Sequence, residues 1–286
     1  MNEQPTWAPE RPGATVRLPV RIVRGDRSEV RSDVVVTEEP LEIRLLAGEQ
    51  RQSVAVTMRT PGNDFELAAG FLFGEGILTD RSQLASISYC VDSSLDGQQQ
   101  YNIVNVRLRT TQLPPLAPLE RHFFTTSACG VCGKASLEAL QQRGCTVIAS
   151  GQSAEEAVLR RLPEQLRAAQ GLFAQTGGLH AAALFTFQGE LLALREDVGR
   201  HNALDKLVGW AFLAGRLPLG DTILLVSGRA SYELVQKAVV AGIPVFCAIS
   251  APSSLAIAVA QTFGVTLVGF LRDDRLNVYS GEERLS

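Results

Sequence analysis

Residues 221–271 read DTILLVSGRASYELVQKAVVAGIPVFCAISAPSSLAIAVAQTFGVTLVGFL, and the alternation in this stretch decides the fold. Three short apolar runs, DTILLVSG (221–228), PVFCAIS (244–250) and VTLVGFL (265–271), are separated by two segments of helical periodicity, RASYELVQKAVVAG (229–242) and SSLAIAVAQTFG (253–264). Gly242 closes the first helix. The pattern is β-α-β-α-β, and continuous apolar strands joined by helical crossovers predict a parallel sheet covered on both faces. In such a sheet ligands sit at the carboxyl ends of the strands, where helix N-termini point.

Those ends are SGRAS (227–231) and SAPSS (250–254). Each places hydroxyl residues ahead of a helix whose free N–H groups favour an anion, and the first adds Arg229, so a phosphate-bearing ligand fits. Ordinary N-capping is the plainer account of either turn alone. Neither is a P-loop or a G-x-G-x-x-G.

Upstream, TGGLHAAALF (176–185) and REDVGRHNALDKLVGW (195–210) gather His180, Asp197, Arg200, His201 and Asn202 near the start of a helix. Helical spacing sets Asp205 four residues after His201, on the same face. A converging site and a capped helix with a solvated face account for this cluster equally well. Further upstream, DVVVTEEPLEIRLL (33–46), SVAVTMRT (53–60) and YNIVNVRLRT (101–110) read as strands of a half-exposed sheet, with GNDFELAAGFLFGEG (62–76) as a helix between them. The Pro-rich TTQLPPLAPLE (110–120) reads as a linker. The expected organisation is a flexible tail over residues 1–15, an N-terminal β-rich α+β domain over 16–120 and a C-terminal α/β domain over 121–286.

A chain of 286 residues, 45% hydrophobic and 20% charged, buries a sizeable core. Its net charge of −3 argues against a general nucleic-acid binder. No run reaches the roughly 18 apolar residues of a membrane span, and the first residues lack a signal-peptide core, which together predict a cytoplasmic protein without membrane attachment. Five cysteines suit free thiols in a reducing compartment. Cys90, Cys145 and Cys247 read as structural, and His122 as packed or exposed beside the cysteine loop.

That loop is TTSACGVCGKASLEAL (125–140), with Cys129 and Cys132 in a Cys-x-x-Cys and Lys134 directly behind. One such pair is too few ligands for a structural zinc, and the His-x-Glu of a zinc deaminase is absent. Lys134 and the following helix start favour a thiolate at one of the two cysteines, and the glycines keep the loop open. A nucleophilic thiol, a metal site and a thiol-redox pair stay open on these grounds.

The segments ACGVCGKASLEAL, TGGLHAAALF, EDVGRHNALDKLVG, SGRASYELVQKAVVAGIPV, SAPSSLAI and GFLRDDRLNVYSGEERL resemble, in order from about residue 35 to the C-terminus, the formate dehydrogenase accessory proteins of the FdhD type. The resemblance implies a sulfurtransferase that accepts a persulfide from a cysteine desulfurase. It would sulfurate the molybdenum bis(molybdopterin guanine dinucleotide) cofactor, its bound substrate, for formate dehydrogenase. Cys129 would carry the persulfide and Cys132 would serve as relay. Phe270, Leu271, Arg272, Asp273, Asp274 and Arg275, with Ser227, Gly228 and Arg229, would bind the cofactor, for which a guanine nucleotide is a mimic. Lys134, His180, Asp197, Arg200, His201 and Lys237 would support the site. The resemblance further implies a cytidine deaminase-like C-terminal domain without the zinc, and a homodimer. A chaperone that only escorts the cofactor is the alternative.

Overall fold

A computed structural model describes residues 12–90, 100–116, 133–149 and 151–286. Strands β1 (Thr15–Arg24) and β2 (Arg27–Val36) form an antiparallel hairpin turned at Gly25, whose φ of +58° suits glycine. The single strand expected over 33–46 is broken between Val36 and Glu39, so its second half, β3 (Glu39–Ala47), belongs to a separate sheet. That four-stranded sheet has the order β4-β3-β6-β5, with β4 (Gln50–Arg59), β5 (Leu84–Tyr89) and β6 (Ile103–Leu108). Helix α1 (Asp64–Gly74) lies between β4 and β5 in the chain.

The second half contains a six-stranded sheet ordered β12-β11-β10-β9-β7-β8. Its strands are β7 (His180–Phe185), β8 (Leu191–Asp197), β9 (Ile223–Val226), β10 (Val245–Ala248), β11 (Thr266–Gly269) and β12 (Asn277–Ser280). The three apolar runs are the parallel centre, as their composition predicts. The sheet as a whole is mixed, because β7 runs antiparallel to both β8 and β9, and β12 runs antiparallel to β11. The reason is in the connections: β7–β8 and β11–β12 are joined by short turns, which permit only antiparallel neighbours.

Period-2 alternation sends successive side chains of this sheet to opposite faces. Leu184, Leu224, Phe246 and Leu267 pack towards α5 (Arg200–Leu213), α6 (Tyr232–Val240) and α7 (Ser254–Phe263). Phe185, Leu225, Cys247 and Val268 pack instead towards α3 (Glu156–Ala169), through its Val158, Leu159, Leu162 and Leu166 stripe. Both faces are covered. Helix α2 (Gly133–Gln142) adds Leu140 to the first face, and α4 (Gly171–Thr176) follows α3.

The first cluster is continuous from one sheet to the other: Leu41, Ile43 and Val106 share it with Leu67 and Leu72 of α1 and Leu204 and Leu207 of α5. Helices α1 and α5 cross at Gly70 and Gly209, where a Cβ on either glycine would meet the other helix's backbone. Cys247 is fully buried, and burial pushes its thiol up to about 12, which suits the structural role expected of it. Among the described residues no helix is long and apolar enough to cross a membrane.

Candidate functional site

The carboxyl ends of β9, β10 and β11 open onto a cleft of about 690 Å³. Ser227, Ile249 and Arg272 follow the three parallel strands into it, and His180 enters from the start of β7, which antiparallel pairing brings to the same edge. The opposite wall comes from the end of α3 and from α4, through Arg167, Gln170 and Phe173. The strand-end rule applied to residues 221–271 locates this edge. It does not locate the α3–α4 wall, whose residues carry no motif; the one signal there is the helical stripe Val158, Leu159, Leu162 and Leu166.

The two turns at the strand ends are laced together. Ala230 N donates to Ala251 O at 3.1 Å, Ser253 N to Ala230 O at 3.0 Å and Ser250 N to Gly228 O at 3.2 Å, so much of their backbone capacity is spent internally. Ser253 Oγ accepts from Ala256 N at 3.2 Å and is an ordinary cap of α7. Ser231 differs: its side chain does not cap α6 and lies 3.3 Å from His201 Nε2. His201 Nε2 is also 2.8 Å from Glu233 Oε2. The Ser227 hydroxyl accepts from Ala181 N at 2.9 Å.

Gly228 sits between His180 and Arg200; a Cβ there would lie 3.5 Å from His180 Nδ1 and 3.7 Å from Arg200 Cδ. Burial, reinforced by the charges of Arg200 and His201, lowers the pKa of His180, with Asp197 opposing weakly. His180 is therefore a neutral imidazole at pH 7. An NMR titration of His180 is expected to show a midpoint below 6.5, and Arg200→Gln is expected to move it upward by removing a positive neighbour. An unchanged midpoint in that variant would leave burial and the His201 charge as the causes.

Arg200 is half-buried, and its Nε is shielded from solvent without a hydrogen-bond partner. Among the described residues no carboxylate lies within ion-pair distance of Arg167, Arg200, Arg229 or Arg272. Arg167 and Arg272 line the cleft, and Arg200 lies beside Gly228 at its edge, which makes the cleft receptive to anions although the chain's net charge is −3.

The segment after β11 makes a tight turn. Phe270 adopts φ +50°, a left-handed conformation that costs about 1–2 kcal/mol for a residue with a Cβ. Its N–H donates to Ser250 O at 3.2 Å, and the Arg275 guanidinium lies 5.3 Å from its ring centroid. Arg272 Nη1 donates to Ile249 O at 2.7 Å and Leu271 O at 2.9 Å, which fixes the guanidinium at the lining of the cleft. Asp273 and Asp274 are exposed. Leu271 is fully buried in the second cluster, so its side chain anchors the turn and faces no ligand.

Other residues that the sequence singles out are braced inside the protein. Asp197 is fully buried, 2.7 Å from Lys206 Nζ, and accepts from Thr60 N at 3.1 Å and Gly199 N at 2.8 Å. Asn202 Nδ2 donates to Asp197 at 3.1 Å and to Met58 O at 2.7 Å, tying the start of α5 to the end of β4. Asp205 does not pair with His201 along the helix; its partner is Lys237 of α6, at 2.6 Å, in a buried ion pair beside the Phe71 ring. Burial works against the charge on Lys237, yet Asp205, aided by Glu75 and Glu233, raises its pKa. Lys134 is the second residue of α2. Cys129, Cys132 and His122 lie outside the described residues.

Residues 36–286 match the family described as the FdhD/NarQ family. The "Sulfur carrier protein FdhD" of Streptomyces avermitilis is 54% identical over 274 residues, covering 95% of this chain and 96% of that one. The protein of the same name from Mycobacterium tuberculosis is 50% identical over 278 residues, covering 96% of this chain and 99% of that one. Among solved structures, a protein assigned as a formate dehydrogenase accessory protein, from Desulfotalea psychrophila, superposes with a TM-score of 0.73 at 25% identity, covering 96% of this chain and all of that one.

Proposed function

The chain belongs to the FdhD/NarQ family, and from that premise we propose that it is a sulfur carrier for formate dehydrogenase maturation, acting on the molybdenum bis(molybdopterin guanine dinucleotide) cofactor as its substrate. The observation that carries this reading is the cleft at the carboxyl edge, where Arg167 and Arg272 line the walls without carboxylate partners, in a chain more than half identical to a sulfur carrier. A dinucleotide with several phosphates answers that charge, and Ser227 and neutral His180 add hydrogen-bonding groups for its oxygens.

In this reading the Cys129 thiolate attacks the outer sulfur of a persulfide on a cysteine desulfurase. The desulfurase S–S bond breaks, its electron pair restores the desulfurase thiolate, and the new S–S bond leaves the sulfane sulfur on Cys129. Release as sulfide to the metal requires two electrons. Attack of the Cys132 thiolate on the Cys129 sulfur supplies them and leaves a Cys129–Cys132 disulfide, which cellular thiols then reduce. A homodimer in the cytoplasm and a cytidine deaminase-like second half belong to the same proposal.

The test is peptide mass spectrometry after incubation with a cysteine desulfurase and free cysteine. One added sulfur is expected on the peptide holding Cys129, lost on reduction and absent from Cys129→Ala. No added sulfur beside an active desulfurase would refute the carrier and move the cofactor-escort reading forward.

A further inference from the structure

The hairpin β1–β2 is a sheet of two strands, and such a ribbon leaves a row of backbone groups open along each outer edge. The two edges differ. Thr37 N donates to Ala14 O at 2.9 Å, and from there bonded and non-bonded pairs alternate along the register, so Arg27, Glu29, Arg31 and Asp33 turn their backbone groups to β1. Ser28, Val30 and Ser32 turn theirs outward. On β1 the outward residues include Pro19, opposite Ser32, which has no N–H to offer and blocks that edge. The β2 edge carries no such block: residues 27–33 are all exposed, Val30 to 71%, and none pairs with a further strand among the described residues. Towards the body of the protein the open stretch ends at Val34, whose N–H donates to Asp33 Oδ1 at 2.9 Å.

An exposed edge invites another strand, and the charges of β2 select which one. Run antiparallel against itself with Val30 opposite Val30, β2 sets Arg27 against Asp33 and Glu29 against Arg31, each twice by symmetry, and Ser28 against Ser32. No like charges meet. Moving the two-fold point by one residue sets Glu29 against Glu29 or Arg31 against Arg31, and like charges directly opposite are destabilising. The favoured register also fits the hydrogen bonding. The outward groups of Ser28, Val30 and Ser32 meet their counterparts, and the charged residues fall at the non-bonded positions, where facing side chains come closest. Within one strand Arg31 and Glu29 already lie 2.9 Å apart, so a second copy completes a cluster of alternating charge.

We infer that β2 pairs with β2 of a second copy of this chain around a two-fold axis at Val30, joining two hairpins into a four-stranded sheet. This rests on the homodimer of the proposed function and adds the surface that joins the copies.

Sedimentation velocity of the full-length protein over a range of concentrations tests the pairing, with wild type beside Val30→Pro, Arg27→Asp and the double variant Arg27→Asp/Asp33→Arg. Val30→Pro removes an outward N–H and no bond to β1, so it places on β2 the block that Pro19 places on β1. Wild type is expected to dimerise, and Val30→Pro and Arg27→Asp are each expected to raise the dissociation constant about tenfold or more. The double variant is expected to return towards wild type, because it exchanges the two ends of one ion pair. Positions 27 and 33 stand about 20 Å apart along a strand, too far to pair within one copy, so this recovery reports a contact between copies. The charge variants decide the outcome even where Val30→Pro does not fold. Wild-type affinity in Arg27→Asp, or no recovery in the double variant, would overturn the strand pairing and leave a homodimer through another surface. A wild type that stays monomeric would refute the homodimer itself. A monomer whose sulfur loading by the desulfurase falls in Val30→Pro would give the edge to the desulfurase and equally overturn the pairing.

Discussion

A cell whose only copy of this protein carries Cys129→Ala is expected to lose its formate dehydrogenase activity, by at least about 100-fold, while the purified variant still binds GDP as wild type does. The size follows from the chemistry. A covalent carrier without its nucleophile has no slower version of the same step, because alanine forms no bond to the sulfane sulfur. GDP binding is expected to be spared because the proposed site is the cleft, whose groups Arg167, Gln170, Ser227 and Arg272 belong to α3, the loop after it and the strand ends. The split between the two readouts separates a carrier from an escort: retained activity in Cys129→Ala would sink the sulfur-transfer reading, and loss of GDP binding would show a broader structural defect.

Gly209→Val is expected to cost about 3 kcal/mol of stability or more, or to leave no folded protein at all. A Cβ on Gly209 overlaps the carbonyl oxygen of Glu66 and would lie 2.7 Å from its carbonyl carbon and 2.8 Å from Gly70 N. These neighbours are backbone atoms inside α1, so no rotamer change relieves the clash; the helices must part. Parting α1 from α5 opens the continuous cluster that joins the two sheets and disturbs the Asp197, Lys206 and Asn202 brace at the start of α5. Thermal melting measures it, with an expected fall of roughly 6 °C or more. Gly220→Ala is the control: a Cβ there meets nothing within 4 Å, and its midpoint is expected to stay near wild type. If Gly209→Val melts with the control, the close crossing of α1 and α5 does not hold the halves together.

The buried pair Asp205–Lys237 illustrates how local rules mislead when burial sets the pairing. Along α5, four-residue spacing puts Asp205 under His201, which suggests one polar cluster. In the fold α5 and α6 lie side by side, so His201 meets Glu233 and Asp205 meets Lys237 across the helix pair. A charge taken out of water needs a partner at contact distance, and the nearest one belongs to another helix. Asp197 shows the same effect. It shares a motif with Arg200 and His201, yet it faces inward to Lys206 and Thr60 N, whereas Arg200 and His180 lie beside Gly228 at the strand ends.

By itself the sequence determined the parallel centre of the second sheet, the two crossover helices α6 and α7 and the edge where the cleft opens, whereas α3, which covers the other face, was not read from it. Apolar runs of strand length, punctuated by glycine and small hydroxyl residues, leave few other ways to bury both faces. The chemistry proposed for the Cys129–Cys132 pair also rests on sequence, through the resemblance to the FdhD type; Lys134 and the helix start alone leave a nucleophile, a metal site and a redox pair open. Only the tertiary structure decided that β7, β8 and β12 join the sheet antiparallel, because alanine-rich HAAALF carries no period that distinguishes strand from helix. Only the tertiary structure turned Gln170, Phe173 and Arg167 into a wall of the cleft. Their place there comes from how α3 and α4 pack against the strand ends, which depends on what lies across space and which spacing along the chain does not encode.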